Sequence, residues 1–546
     1  VSGIAEALTY IKADCLNHED FPAFRRSLEE QALQILLTGN LHDTFYLNRQ
    51  VVAKEAYEVL EAMCQKDPEL YARMILYARE AGCMRILPVV ATVILSKAVT
   101  GLFAKVFPRV VRTPRELRDF LMICRKSPIR KGLGRALKRS VSEYLLGLSE
   151  YHLLKYGRNK GDFSLQDAVR TVHPKARSES ERYLLKLILD GKKALEPSIL
   201  SEHFPQIAAW QDFLEAKHPA ERIRLIEQGR LPYEVVVGSV KPGRLLWRAL
   251  ALQMPLMALL RHLKTLIRSR ALNCKDTLQY VCSRLTDAEN IRRSRILPFR
   301  FYSAWKELRR HSEAYERFLS NFIPSHVPWY GQCRVIYSDV LDALEKAILL
   351  SLTNLPDLPG KVCIASDVSG SMCGGISLSG TTMLVEIAAL FSAALAHKCS
   401  SDAIILPFND RVIPFERVEG ESIMEFIERM KLLCGGCTAL SAPISLLMEK
   451  NISVDHFIGI TDNEEWATDS YGNRGFLSVW RHYRRKKANN NARAYLLTLA
   501  PYRNAVAPET EPGVHYFYGW SDELVKHLSL CAQESNQLDI VRSWPL

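Results

Sequence analysis

The chain has 546 residues, of which 48% are hydrophobic and 24% charged, and a formal net charge of +12. That length exceeds what one core supports and implies two or more domains of ordinary globular composition. The longest apolar runs, 87–95 and 383–396, are short or interrupted by Glu386; neither offers the ~18 unbroken apolar residues of a membrane span, which argues against a membrane protein.

The thirteen cysteines are scattered and odd in number, and Cys434-Gly435-Gly436-Cys437 is the one CxxC. With no second pair to complete a zinc site, reduced thiols in a cytosolic protein are expected. No signal peptide is visible in a sequence that begins at Val1. The charge is divided unevenly. Residues 1–354 carry 55 Lys+Arg against 38 Asp+Glu, and residues 355–546 carry 17 against 22. All the excess positive charge therefore lies in the first two-thirds, which points to a polyanion partner for that part alone.

From Gly3 to about Leu352 the apolar spacing is helical almost throughout, with Pro, Gly and Asn between segments and few strands. Many short helices over this length predict a stack of helix pairs, an α-solenoid. In 113–128 Thr113 is the N-cap, Pro114 the first helical residue and Glu116 closes a capping box. Leu117, Phe120, Leu121 and Cys124 form the apolar face. The next helix sets Lys131, Arg135 and Lys138 on one side. Between Arg109 and Arg139 there are eleven Lys+Arg against two acids, too lopsided for a face laced with salt bridges. Arg112, Arg118, Arg125, Lys126, Arg130, Lys131, Arg135, Lys138 and Arg139 are thus candidate phosphate contacts. Gly132 and Gly134 would let a phosphate approach backbone N–H groups.

In 151–175, Ser164 and Asp167 form a second capping box, and Leu165, Ala168, Val169 and Val172 bury one face. Arg170 and His173 share the other, with Lys155, Arg158 and Lys160 in the stretch before; a phosphate or base edge would meet these groups. Tyr151, Tyr156 and Phe163 are candidates for base stacking, with core packing expected for at least two of them. Two later stretches, 245–263 and 294–305, read as core, built on Trp247, Leu250, Met254 and Met257 and on Phe301, Tyr302 and Trp305. Arg261 and His262 are their candidate surface contacts.

After the prolines and glycine of 356–360 the pattern becomes α/β. Candidate strands are 361–366, 403–408, 456–461, 494–499 and 514–519, with helices between them, which predicts a doubly wound, mostly parallel sheet. The first strand releases Asp367, Ser369 and Ser371 into a turn. Thr438 follows in a Gly-rich loop before a helix, and Asp462 directly follows the 456–461 strand. All five belong to one sheet edge. Two carboxylates and three hydroxyls suit a hard divalent cation, Mg²⁺ first with Mn²⁺ or Ca²⁺ as alternatives, and leave it under-neutralised with an open position. An acidic side chain or phosphate of a partner would fill that position, so recognition is expected here rather than catalysis.

Asp367, Ser369, Ser371, Thr438 and Asp462 resemble the metal-ion-dependent adhesion site of von Willebrand factor A domains. With the helical part in front, the chain resembles the Ro ribonucleoprotein family, a TROVE module followed by an A-type domain. The resemblance rests on the order of LTGNLHDTFYLN (37–48), RKGLGRALKRSV (130–141), KYGRN…SLQDAVRTVHPK (155–175), LWRALALQMPLMALLRHL, SRILPF and ITDNEEW. It implies HEAT-like repeats closed into a ring over residues 1–355 and an A domain over 356–546. It further implies small noncoding Y RNA on the basic outer surface and single-stranded ends of misfolded RNA in the ring channel. Family positions for Y RNA match Lys155, Arg158 and His173, and His262 stands where the family usually has Asn. The expectation is a cytoplasmic, monomeric RNA-binding scaffold for RNA quality control or presentation to an exoribonuclease, and not an enzyme. The alternatives are a metal-dependent protein-binding adaptor and a metal-dependent hydrolase; the latter lacks a second carboxylate cluster.

Overall fold

The computed structural model describes residues 13–38, 49–126, 129–130, 132–157, 163–191, 195–294, 296, 298–322, 328–352, 360–374, 382–398, 403–486, 491–500, 502, 504–518 and 537–546. Lys131, Arg158 and Lys160 lie outside them, as do most of residues 37–48. The chain divides into two compact units, residues 88–351 and residues 1–87 together with 352–545.

The first of these units is helical throughout its described residues. The helices Pro205–Glu215, Pro219–Gln228, Arg244–Gln253 and Lys275–Leu285 each pack on the next in that order, the chain of neighbours expected of stacked helix pairs. Local signals set the ends. Glu116 Oε2 accepts from the Thr113 N–H at 3.0 Å while the Thr113 hydroxyl accepts from the Glu116 N–H at 3.3 Å, so that capping box is real. Ser164 and Asp167 close a second one. Trp247, Leu250, Met254, Phe301 and Tyr302 are buried as the apolar spacing predicts, whereas Met257 and Trp305 are half-buried.

The other unit is built on five parallel strands, β3 (Val362–Asp367), β4 (Ile404–Phe408), β5 (His456–Thr461), β6 (Arg493–Thr498) and β8 (Val514–Tyr518), in the order β4-β3-β5-β6-β8. Residues of β3 and β5 are buried without exception, which is why both read as continuous apolar runs rather than alternating ones. The chain steps from β3 to β4 through the helix Leu384–Lys398 and, in the opposite direction along the sheet, from β5 to β6 through the helix Phe476–Lys486, an order that under the right-handed crossover rule sends the two helices to opposite faces. The latter carries Trp480, fully buried between Phe457, Phe476 and Tyr483.

Sequence spacing does not reveal the small antiparallel sheet of β1 (Cys15–Leu16), β2 (Pro22–Arg25) and β7 (Asn504–Ala505). The N-terminal stretch pairs with residues some 480 positions away, Phe24 with Ala505 and Arg25 with Asn504. Arg26, buried, donates to the Asn504 carbonyl at 3.1 Å and to the Tyr518 hydroxyl at 2.7 Å, and Tyr518 in turn bonds Glu30. Strands of two to four residues carry too few positions for a period of two to be visible.

Candidate functional site

The sheet changes direction at β3. The chain leaves β3 for β4 on one side and returns to β5 on the other, so the carboxyl ends of β3 and β5 border the crevice where such sheets hold ligands. Asp367 ends β3 and Asp462 directly follows β5, both fully buried. Ser369, Ser371 and Thr438 are buried with them, so the five residues singled out by sequence share one edge. The Ser369 and Ser371 hydroxyls stand 3.3 Å apart. One Asp367 oxygen accepts from the Ser369 N–H at 2.9 Å and the other from the Thr461 hydroxyl at 2.6 Å.

Backbone bonds knit the three loops. The Gly435 N–H donates to the Val368 carbonyl at 2.7 Å, the Gly370 N–H to the Gly436 carbonyl at 3.0 Å, and the Trp466 and Ala467 N–H groups both to the Thr438 carbonyl at 3.0 Å. A covalent tie crosses the first two loops. Cys373 and Cys434, 61 residues apart, form a disulfide, where scattered spacing predicts reduced thiols. Only the meeting of two loops from different strand ends brings them together.

Burial pushes the carboxyl groups of Asp367 and Asp462 above the usual range, and the charge of Asp367, then of Glu464, raises Asp462 further. Asp462 Oδ1 accepts from the Glu464 N–H at 3.1 Å, whereas its buried Oδ2 lacks a hydrogen-bond partner among the described residues. Two crowded buried carboxylates, one with an orphaned oxygen, beside three buried hydroxyls fit a hard divalent cation, which would relieve both the repulsion and the orphan. Among the described residues no group of three or more His, Cys, Asp and Glu is arranged to hold a metal, so zinc-type ligation has no counterpart here.

Two supporting residues escape sequence reading. Glu465 accepts from the Ser441 N–H at 3.1 Å and the Phe476 N–H at 2.8 Å, bonding the start of two helices and holding the Asp462 loop between them. Burial pushes its carboxyl up to about 7. Glu464, also buried, accepts from the His18 N–H at 3.2 Å and lies 3.0 Å from its ring Nδ1. The two consecutive acids Glu464 and Glu465 were the available signal, but charge alone does not say that both are buried.

In the helical unit, the helix Leu165–Val172 packs against both Pro114–Lys126 and Arg135–Leu146, joining the two basic stretches. Arg112, Arg125, Lys126, Arg135, Lys138, Arg139, Arg170 and His173 are exposed. Asp167 sits among them, its carboxyl held low first by Ser164 and then by Arg170 and Arg125. Other predicted contacts are engaged within the chain. Arg130 donates to the Ser96 carbonyl and hydroxyl at 2.5 and 2.9 Å, and Arg118 pairs with Asp119 at 3.2 Å. Phe163 is buried with the Arg125 guanidinium 5.3 Å from its ring centre; Tyr156 is half-buried and Tyr151 exposed. Gly134 is the N-cap of Arg135–Leu146 and supplies no side-chain cap.

Lys155 belongs to a second group. It pairs with Glu234 at 2.6 Å and with the Tyr151 hydroxyl at 3.0 Å. His262 is half-buried with ring centres of Tyr233 and Trp247 each 5.4 Å away, and burial lowers its pKa; Arg261 beside it is exposed.

Residues 361–528 match the family model described as the Ro60 vWA domain, and residues 243–339 match the TROVE domain. Both domains that make up the Ro ribonucleoprotein family are thus matched in this chain. Its curated relatives in the Ro family include a Deinococcus radiodurans protein named RNA-binding protein RO60, 27% identical over 454 residues that span 80% of this chain and 81% of that one. A Caenorhabditis elegans protein of the same name is 23% identical over 462 residues, 74% of this chain and 68% of that one. In fold, the chain is similar to the crystal structure of the Deinococcus radiodurans RO (RSR) protein, with a TM-score of 0.64 and 22% identity over 93% of this chain and 100% of that one.

Proposed function

We propose that this chain is the RNA-binding scaffold of a ribonucleoprotein. The observation that carries the reading is the packing of Leu165–Val172, which bears exposed Arg170 and ends at exposed His173, against two helices on which Arg125, Lys126, Arg135, Lys138 and Arg139 are exposed. Such a surface neutralises phosphates without reading bases. Relatives named RNA-binding protein RO60 support it. In this reading small noncoding Y-type RNA lies on the basic surface. Single-stranded ends of structured or misfolded RNA enter a channel enclosed by the helical repeats, for RNA quality control or presentation to an exoribonuclease. The chain acts in the cytoplasm as a monomer and catalyses no reaction of its own.

Asp367, Ser369, Ser371, Thr438 and Asp462 hold a divalent cation, Mg²⁺ first and Mn²⁺ or Ca²⁺ as alternatives. Bound there, it supplies a Lewis-acidic position for an acidic group of a protein partner. The orphaned Asp462 Oδ2 favours a second reading, in which the A domain is a metal-dependent adaptor. The two readings separate experimentally. Reversing Arg135, Lys138 and Arg139 to Glu lowers the affinity for a Y-type RNA by roughly tenfold or more. The slope of log affinity against log salt falls by about 0.9 for each phosphate that the variant no longer neutralises. Asp367→Ala leaves RNA affinity unchanged. RNA binding unaffected by the triple reversal would sink the first reading.

A further inference from the structure

The loop that follows β5 carries three buried acids, Asp462, Glu464 and Glu465, of which only Asp462 is a candidate metal ligand. The other two are bonded by residues near the opposite end of the chain. A tight turn, residues 17–21, joins β1 to β2, and the Asn17 side chain organises it from within: Oδ1 accepts from the Glu19 and Phe21 N–H groups, both at 3.0 Å. Asn17 Nδ2 donates to the Glu465 carbonyl at 2.6 Å. The His18 N–H donates to Glu464 Oε2 at 3.2 Å, and the His18 ring Nδ1 stands 3.0 Å from Glu464 Oε1. The turn thus meets the loop at three points across 446 to 448 positions of sequence.

Asn17 and Glu464 are both buried, so water does not replace a bond lost between turn and loop. The path from the turn to the metal site is short. Asp462 Oδ1 accepts from the Glu464 N–H at 3.1 Å, so the residue that His18 holds is also the one that sets the Asp462 carboxylate. Glu465 is fixed on its other side by the Ser441 and Phe476 N–H groups. Held between two helix starts and the turn, the loop keeps Asp462 Oδ2 buried and without a hydrogen-bond partner among the described residues.

We propose that the N-terminal turn, residues 17–21, is a positioning element of the metal site: docked on the 462–465 loop it holds Asp462 for the cation, and cation binding in return tightens the turn. The proposal rests on the reading that Asp367, Ser369, Ser371, Thr438 and Asp462 hold a divalent cation. The turn lies outside residues 361–528, which match the vWA model, so the A domain receives this support from the rest of the chain. Linkage supplies the physical reason. Without a cation the buried carboxylates of Asp367, Asp462 and Glu464 repel one another, and an outward shift of the loop would relieve them. The three turn contacts oppose that shift. A cation removes the repulsion, and the factor by which it stabilises the docked turn is the factor by which the docked turn raises its affinity.

Hydrogen–deuterium exchange and Mn²⁺ titration of the full chain test this coupling. Saturating Mg²⁺ should slow exchange of the His18 and Phe21 amides by roughly fivefold or more, with the helix Pro205–Glu215 unchanged and no effect on the turn in Asp367→Ala. By electron paramagnetic resonance, His18→Ala and Asn17→Ala should each bind Mn²⁺ more weakly than wild type by roughly fivefold or more. His18→Asn, whose side-chain amide offers Glu464 a donor in place of the ring N–H, should retain most of the affinity. The His18 ring also packs 5.1 Å from the Tyr502 ring, a contact that Asn does not restore, so the rescue assigns the effect to the donor. No Mn²⁺ binding by the wild-type protein overturns the metal reading and the coupling with it. Full Mn²⁺ affinity in both folded alanine variants, a His18→Asn affinity no better than that of His18→Ala, or turn amides that exchange at one rate with and without Mg²⁺ overturns the coupling alone.

Discussion

The Thr461 hydroxyl donates to Asp367 Oδ2 across 2.6 Å, tying the last residue of β5 to the last residue of β3. The bond turns the carboxylate so that its other oxygen meets the Ser369 N–H. Thr461→Val strips a buried oxygen of its donor, a loss of about 1–3 kcal/mol. We expect a lower melting temperature and weaker Mn²⁺ binding by electron paramagnetic resonance, and no Mn²⁺ binding at all in Asp367→Ala. Equal Mn²⁺ affinity in wild type and Asp367→Ala would remove the metal from this site.

The Cys373–Cys434 disulfide spans 61 residues and joins the Ser369–Ser371 loop to the loop that leads to Thr438. Constraint of a loop that long is worth about 4 kcal/mol in the chain-entropy model. Treatment with a dithiol should lower the melting temperature and loosen Mn²⁺ binding. Cys373→Ser should reproduce both effects and no longer respond to reductant. Thiol titration of the native and denatured protein checks the starting state; a full count of free thiols before reduction contradicts the pairing.

Stability should fall as pH rises from about 4.5 to 7 through Glu30. Burial, then the charge of Glu509, pushes its carboxyl up to about 7, against the opposing effects of Tyr518 and Arg26. With the folded pKa above the unfolded one, the folded state holds the extra proton in this window. The stability gained by protonation is therefore complete below the unfolded pKa and lost as pH climbs through the folded one. We expect a drop in melting temperature on the order of a few degrees, flattened in Glu30→Gln. A profile identical in the variant would assign the slope elsewhere, with Glu465 the next group to replace.

Lys155 is held by Glu234 at 2.6 Å rather than offered to solvent. Glu234→Gln removes that competitor, so RNA affinity at low salt should rise by a small factor with a steeper salt dependence, read by fluorescence anisotropy. Lys155→Ala should then lower affinity more in the Glu234→Gln background than in wild type. Affinity that ignores both changes would separate this cluster from the RNA surface.

How much was legible depends on how local the cause is. The five parallel strands and the capping boxes at Thr113 and Ser164 follow from runs of a few residues, because burial on both faces and N-cap bonding act within that span. That the five candidate ligands meet was legible for a similar reason: each sits at a strand end or before a helix, and a parallel α/β order sends those positions to one edge. The basic stretches were legible as charge, but charge alone does not separate exposed Arg135 from Arg130, which is bonded to Ser96. That choice depends on a neighbour 34 residues away.

By itself, then, the sequence determined the class of each unit, the sheet edge that gathers Asp367 and Asp462, and which segment bears the positive charge. Tertiary structure alone decided that residues 15–25 pair with 504–505, that Cys373 meets Cys434, and that Glu465 bonds the start of two helices. It also decided that Lys155 faces Glu234 and that Asn17 and His18 bond the loop after Asp462. The physical reason is common to all of these. A hydrogen bond or disulfide between distant segments leaves no period in the sequence, since its partners are chosen by where the packed sheet and helices bring them.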